Sequence, residues 1–127
     1  MQQTVPMSEM TVLMVDDEYF IRATMRQLLY QIGLANVEEA ADGASGLLKA
    51  RLSKPHLVIC EIHMPVLDGF TFVNELRTFC DAPVILLTSD HDEKTVVMAK
   101  KLKVDGYLIK PMSFAAVQRA VERALKL

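Results

Sequence analysis

Four short apolar runs and one weakly alternating segment are interleaved with segments whose apolar residues recur at helical spacing, and this alternation fixes the class of fold open to the chain. Thr11-Val12-Leu13-Met14-Val15 reads as a buried strand. Ile21, Met25, Leu28, Leu29 and Ile32 then follow a helical period, which Gly33 can end. Asn36 to Ala41 alternates weakly, as an outer strand does, and Asp42-Gly43 makes a turn. Leu47, Leu48 and Leu52 mark a second helix, ended by Ser53-Lys54-Pro55. Leu57 to Cys60 and Val84 to Leu87 are continuously apolar, like strands covered on both faces, and Pro83 suits a strand's first position. Phe70, Val73, Leu76 and Arg77 belong to a third helix ending near Phe79 or Cys80. Val96, Val97, Ala99, Leu102 and Val104 outline a fourth, whose other face carries Lys94, Lys100, Lys101 and Lys103. Gly106 to Ile109 is the last strand. Ser113 can cap a final helix with Phe114, Val117, Ala120, Val121, Ala124 and Leu125 inward.

Strand and helix in alternation argue a parallel sheet with helices on both faces, an α/β fold. Right-handed crossovers leave few topologies. Residues 1–9 lack periodicity and read as a flexible lead-in, so residues 10–127 form the single domain. The 51% apolar content excludes a disordered chain, and a net charge of -2 gives no electrostatic reason for a nucleic-acid partner. No apolar run approaches the roughly 20 residues of a membrane span, and the first residues carry no signal-peptide pattern. Cys60 and Cys80 lack metal-ligand spacing and read as buried thiols. A cytoplasmic location is the expectation.

Polar residues close the apolar runs: Asp16-Asp17, Glu61, Thr88-Ser89 and Lys110-Pro111. Ligands of open parallel sheets bind beyond the carboxyl ends of the strands, where all of these fall. Alone, an acidic pair caps a helix, a Thr-Ser pair shapes a turn, and a strand-end lysine is a solvated charge. Together, three carboxylates in one crevice repel unless a cation neutralises them, and Mg2+ suits oxygen ligands. Met64-Pro65-Val66-Leu67-Asp68-Gly69 after an apolar strand is a more specific signal than any one residue.

With these motifs in register, the chain from about Met10 onward resembles a response-regulator receiver domain. The resemblance implies a flavodoxin-like, doubly wound, five-stranded parallel sheet in the order 2-1-3-4-5, with five helices in a three-layer sandwich. It implies a receiver module of a two-component phosphorelay that works by binding proteins and is not an enzyme. It assigns Mg2+ to Asp17, the carboxylate at Glu61 and the backbone carbonyl of His63, with Asp16 as a further ligand or acting through water. Lys110 would reach the acceptor carboxylate, and the Thr88 hydroxyl would donate to a phosphoryl group. Tyr107 stands at the switch-aromatic position; an aromatic packed on an edge strand is the alternative. The Lys110-Pro111 bond is a candidate cis peptide.

Implied partners are a sensor histidine kinase or phosphotransfer protein near the first helix, and a downstream target. Phe20 and Ile21 are candidates for the first contact, although core packing is the commoner fate of both. The lysines of the fourth helix, Tyr107 and the final helix form a possible second docking face. His63 lies in a loop, unsuited to phosphotransfer, and His56 and His91 are expected at the surface. The chain ends at the fifth helix, as expected of a receiver acting through partners or one excised from a longer protein.

In the family the residue at Glu61 is the aspartate that accepts a phosphoryl group. An added methylene moves the carboxylate by roughly 1.5 Å, one C–C bond. A misplacement near 1 Å costs about a hundredfold in a positioned reaction, so phosphoryl acceptance should be impaired. Glu61 either pushes its charge toward Thr88 and Lys110, imitating part of a phosphoryl group, or pairs with Lys110 and freezes the site. Two other readings stand beside these: an ordinary phosphorylatable regulator in an Asp-to-Glu substituted form, and an Mg2+-dependent phosphohydrolase. The latter would need an aspartyl nucleophile and a cap that this sequence lacks.

Overall fold

The structure, a computed structural model, describes residues 5–89 and 92–127, so His91 lies outside it. Five parallel strands form one sheet in the order β2-β1-β3-β4-β5, as the resemblance implies. β1 (Thr11–Val15), β3 (Leu57–Glu61) and β4 (Val84–Thr88) are central, with β2 (Asn36–Ala40) and β5 (Gly106–Ile109) at the edges. The direction of chain progress reverses between β1 and β3, where Val15 lies opposite Cys60.

Successive strand residues point to opposite faces. Val12, Met14, Leu57, Ile59, Ile85 and Leu87 share one core with Met25 and Leu29 of α1 (Tyr19–Ile32) and Val117 and Val121 of α5 (Phe114–Leu125). Leu13, Val15, Val58, Cys60, Val84 and Leu86 share the other with Ala50 of α2 (Gly43–Ser53), Phe72 and Leu76 of α3 (Gly69–Leu76) and Ala99 of α4 (Glu93–Lys101). Helix α1 ends at Gly33, whose φ of 116° lets its own N–H and that of Leu34 donate to the Leu29 carbonyl. Asp42, Asp68, Asp92 and Ser113 each accept a hydrogen bond from the backbone N–H three residues on. Such caps are worth about 1 kcal/mol each.

Several side chains point differently from expectation. Helix α2 turns Gly43, Gly46 and Ala50 inward, leaving Leu48 and Leu52 60% and 78% exposed. The reason is close approach: a Cβ on Gly46 would stand 3.0 Å from both Phe72 and Val15, so a leucine has no room on that face. In α4, Thr95 and Ala99 are buried while Val97 faces solvent, and Phe114 at the start of α5 is also more than a third exposed. Phe20 is 75% exposed rather than packed, whereas Ile21 leans on the α1 core. Helix α3 stops at Leu76, earlier than expected. His56 is half-buried: its N–H donates to Thr11 O at 2.8 Å and its Nδ1 accepts from Thr11 N at 3.0 Å, extending the β1–β3 pairing. Within the lead-in, Met7–Glu9 forms a 3-10 turn, and Val5 and Met7 pack on the α1/α5 core.

The β2 edge is tied down by charge. Glu39 accepts from Arg22 at 3.0 Å and from Arg26 at 2.7 Å, and Arg22 also donates to the Asp16 carbonyl at 2.7 Å. Burial pushes the Glu39 carboxyl up, but hydrogen bonds and charges from Arg26 and Arg22 outweigh it and hold the group below the usual glutamate range. The stabilisation is therefore full above the unfolded value and fades as pH falls through the lower folded value. Glu39→Gln should cost about 1 kcal/mol at neutral pH and clearly less at acid pH, as read by urea unfolding. An equal loss at both pH values would contradict this.

Candidate functional site

The carboxyl ends of β1, β3, β4 and β5 deliver Asp16, Glu61, Thr88 and Lys110 to one crevice at the reversal point of the sheet. Asp16 and Thr88 are fully buried, and Glu61 is 4% exposed. The Lys110 ammonium stands 2.6 Å from Glu61 Oε1, 3.1 Å from Asp16 Oδ2 and 3.0 Å from Glu18 Oε1. Glu61 Oε2 accepts from the His63 backbone N–H at 3.1 Å, so both oxygens of this carboxylate are engaged. The Lys110 backbone N–H donates to the Thr88 carbonyl at 2.8 Å, and the Lys110-Pro111 bond is cis.

Burial pushes the Lys110 ammonium down, but its bonds to Glu61, Glu18 and Asp16 dominate and hold it above the ordinary lysine value. Burial raises the Asp16 carboxyl; the Glu18 N–H and Lys110 oppose this only in part. Asp16 Oδ2 is enclosed and has no well-aligned hydrogen-bond donor, although the ammonium lies within ion-pair distance. Burial likewise pushes the Cys60 thiol well up, with Glu61 and Asp16 adding to it, so this cysteine stays protonated and inert.

The acidic pair divides. Asp16 Oδ1 accepts from the Glu18 N–H at 2.8 Å, a turn within the loop rather than a cap on α1, whose N-cap Glu18 makes no side-chain capping bond. Asp17 is exposed and lies outside the group of carboxylates that converge, which is Asp16, Glu18 and Glu61 among the described residues. Sequence reasoning missed Glu18, which reads there as an ordinary helix start. Its signal was its separation of two from Asp16, since residues two apart share a side in extended backbone.

The loop after β3 is strained. The Leu67 N–H donates to the Pro65 carbonyl at 2.8 Å, closing a γ-turn around Val66, whose φ is 70°. The positive-φ γ-turn is the rare form, and a β-branched residue is especially disfavoured there. Val66 is also fully exposed, so no packing offsets the strain. Val66→Gly should raise stability by about 0.5–1 kcal/mol, relief of left-handed strain outweighing the added unfolded-state entropy. An unchanged or lower urea midpoint would show that the turn stores no such strain.

Tyr107 is half-buried against the α2/α3/α4 core. With Val96, Ala99, Lys100, Val104 and Arg123 it lines a groove of about 330 Å³ between α4 and α5. Phe20 and Tyr19, both about three-quarters exposed, begin α1 beside the crevice. No helix among the described residues is long and apolar enough to cross a membrane.

Residues 12–122 match the family described as the response regulator receiver domain. A probable transcriptional regulator, ycf27, of Cyanophora paradoxa is 36% identical over 91% of this chain and 48% of its own length. The KDP operon transcriptional regulatory protein KdpE of Escherichia coli is 36% identical over 91% of this chain and 51% of its own. The chain thus spans about half the length of the curated relatives it matches. Among solved structures, the chemotaxis protein CheY4 of Vibrio cholerae superposes with a TM-score of 0.83 at 30% identity, covering 91% of this chain and 98% of that one. The chain belongs to the response regulator receiver domain family.

Proposed function

We propose that this chain is a two-component receiver whose covalent switch is altered, because Glu61 stands where the family carries its phosphoacceptor aspartate. Receiver domains are signalling modules rather than catalysts, and they bind Mg2+ at an acidic pocket. One observation carries the reading: Glu61 closes on Lys110 at 2.6 Å and on the His63 N–H at 3.1 Å. A carboxylate held at both oxygens, displaced by a methylene, is badly placed for in-line attack on a phosphoryl donor. This pairing favours the frozen site over phosphoryl mimicry, which would need Glu61 to carry charge outward. Glu61 also supplies about one negative charge, against roughly two for a phosphate.

The residues present suit a divalent cation. The converging donors are all carboxylates, and one buried oxygen of Asp16 has no aligned donor. In this reading Asp16 and Glu61 hold the ion. Asp17, assigned by resemblance, would act from the exposed side, and the His63 carbonyl would complete the set. Thr88 and Lys110 would meet a phosphoryl group if one formed. The ion would supply charge neutralisation at the oxygens of such a group. Signalling would then run through protein contacts. A histidine kinase or phosphotransfer protein would meet the exposed aromatics of α1. A downstream target would meet the α4–α5 groove containing Tyr107. A cytoplasmic setting goes with such partners.

The test is incubation of the purified chain with acetyl phosphate and Mg2+, followed by intact-mass measurement. The expected result is an unmodified protein. Stoichiometric acyl phosphate on Glu61 would overturn the proposal.

A further inference from the structure

Helix α2 turns an apolar ridge to solvent. Leu48 and Leu52, one turn apart, are 60% and 78% exposed, and exposed Ala44 continues the same line. Residues four apart stand one above the other on a helix, so these three form a single ridge. Both flanks of the ridge are basic. On one side the Lys49 ammonium donates to the Glu39 carbonyl of β2. On the other the Arg51 guanidinium lies over the Phe79 ring just beyond α3, 3.9 Å from its centroid. Helix α2 contains no acidic residue, and Lys54 at its C-cap adds a third cation. Neither Arg51 nor Lys54 forms an ion pair among the described residues. Beside the ridge lies a cavity of about 410 Å³ whose lining includes Arg51, Lys54, Phe79 and Cys80, with Asp81 as its one acid. Arg51 belongs to both features, so ridge and cavity form one surface. The cavity lies just before β3 and β4, at the end of the sheet opposite the crevice.

We propose that this surface docks an amphipathic helix of a partner protein, with acidic residues flanking the partner's apolar stripe. A ridge of side chains four apart seats in the groove between the ridges of a second helix. The cavity gives room for one apolar side chain of that helix against Phe79. Carboxylates on its two flanks meet Lys49 and Arg51, as flanking charges do between paired helices. Charge sign selects the occupant. A second copy of this chain, packed through α2 about a two-fold axis, sets Lys49 and Arg51 against each other or against themselves. An acidic partner helix replaces that repulsion with attraction. Two leucines on an 11-residue helix also offer a membrane surface little apolar area to hold.

The probe is a lactam-bridged helical peptide of about 15 residues, with leucines four apart and glutamates on both flanks; bridging holds a helix that is marginal at that length. Its control carries lysine in place of every glutamate. Binding is read by fluorescence anisotropy and by amide shifts in two-dimensional NMR of the full chain. The glutamate peptide should bind at least about tenfold more tightly than the lysine peptide, and more weakly as salt is added. Shifts should centre on α2 and residues 79–82. Leu48→Ser and Leu52→Ser should each weaken binding about fivefold or more with unchanged urea midpoints, because both side chains are exposed. Arg51→Glu should narrow the preference between the peptides, and Lys54→Glu serves the same purpose should loss of the Phe79 stack unsettle the fold. Equal affinity for the two peptides, binding of neither, or shifts centred on α1 or the α4–α5 groove would overturn the proposal. So would dimerisation in sedimentation that Leu52→Ser abolishes, which assigns the ridge to a second copy. Binding to phosphatidylserine vesicles that is lost in the same variant would overturn it in favour of a lipid surface.

Discussion

Gly69→Ala is expected to be among the most damaging single-methyl additions in this chain. A Cβ at Gly69 would lie 2.5 Å from the Glu61 carbonyl oxygen and 2.8 Å from the Ile62 Cα. Both are main-chain atoms at the buried carboxyl end of β3, so no flexible side chain can yield. The Gly69 N–H also donates to the Ile62 carbonyl at 2.7 Å, which pins the start of α3 against the end of β3. Overpacking of a rigid contact costs about 1–3 kcal/mol, and a backbone collision belongs at or beyond the upper end. We expect a loss of about 3 kcal/mol in urea unfolding. The damage falls at the proposed acceptor position, because the nearest atom displaced is the Glu61 carbonyl oxygen. Gly43 offers a contrast: a Cβ there meets only the Leu67 side chain, at 2.6 Å. Gly43→Ala should cost clearly less, and a reversed ranking would show that the β3–α3 junction is softer than its geometry.

Lys110→Met carries the second large effect. It leaves the carboxylates of Asp16 and Glu61, 0% and 5% exposed, facing each other without a cation. Removing one partner of a buried ion pair costs about 3–5 kcal/mol, and a crevice open at the Glu18 mouth should stand near the lower figure. Because the ammonium is held above the usual lysine value, its contribution is complete below that value and fades only in strong alkali. Measurements at neutral pH therefore see all of it. The loss should shrink in acid, where the Asp16 carboxyl, raised by burial, takes up a proton. A stability indifferent to Lys110→Met would mean that the carboxylates are neutralised some other way.

The sheet was legible because its three central strands are buried on both faces and read as unbroken apolar runs, as in Val84 to Leu87. The helices were legible in position but less so in orientation. Leucines at helical spacing in α2 suggest an inward face, yet Gly46 and Ala50 take it because α2 lies against Phe72 and Val15. Spacing reports a period, not which part of the turn the neighbour occupies. The crevice was legible as far as strand ends dictate it, through Asp16, Glu61, Thr88 and Lys110. The turn of Glu18 rather than Asp17 toward Lys110 was not, since it follows from one side-chain-to-backbone bond within a three-residue turn. The roles of His56 as a ladder extension and Arg22 as a tie to the Asp16 carbonyl were also hidden, because each depends on a residue distant in sequence or on backbone atoms.

In the proposed reading the carboxylate of Glu61 overreaches the place of phosphoryl transfer. The direct measurement is the initial rate of acetyl-phosphate labelling, with Mg2+, of this chain and of Glu61→Asp side by side. Shortening the side chain should restore an acyl phosphate and raise the rate by about a hundredfold or more. Equal rates in the two proteins, or labelling in neither, would contradict it.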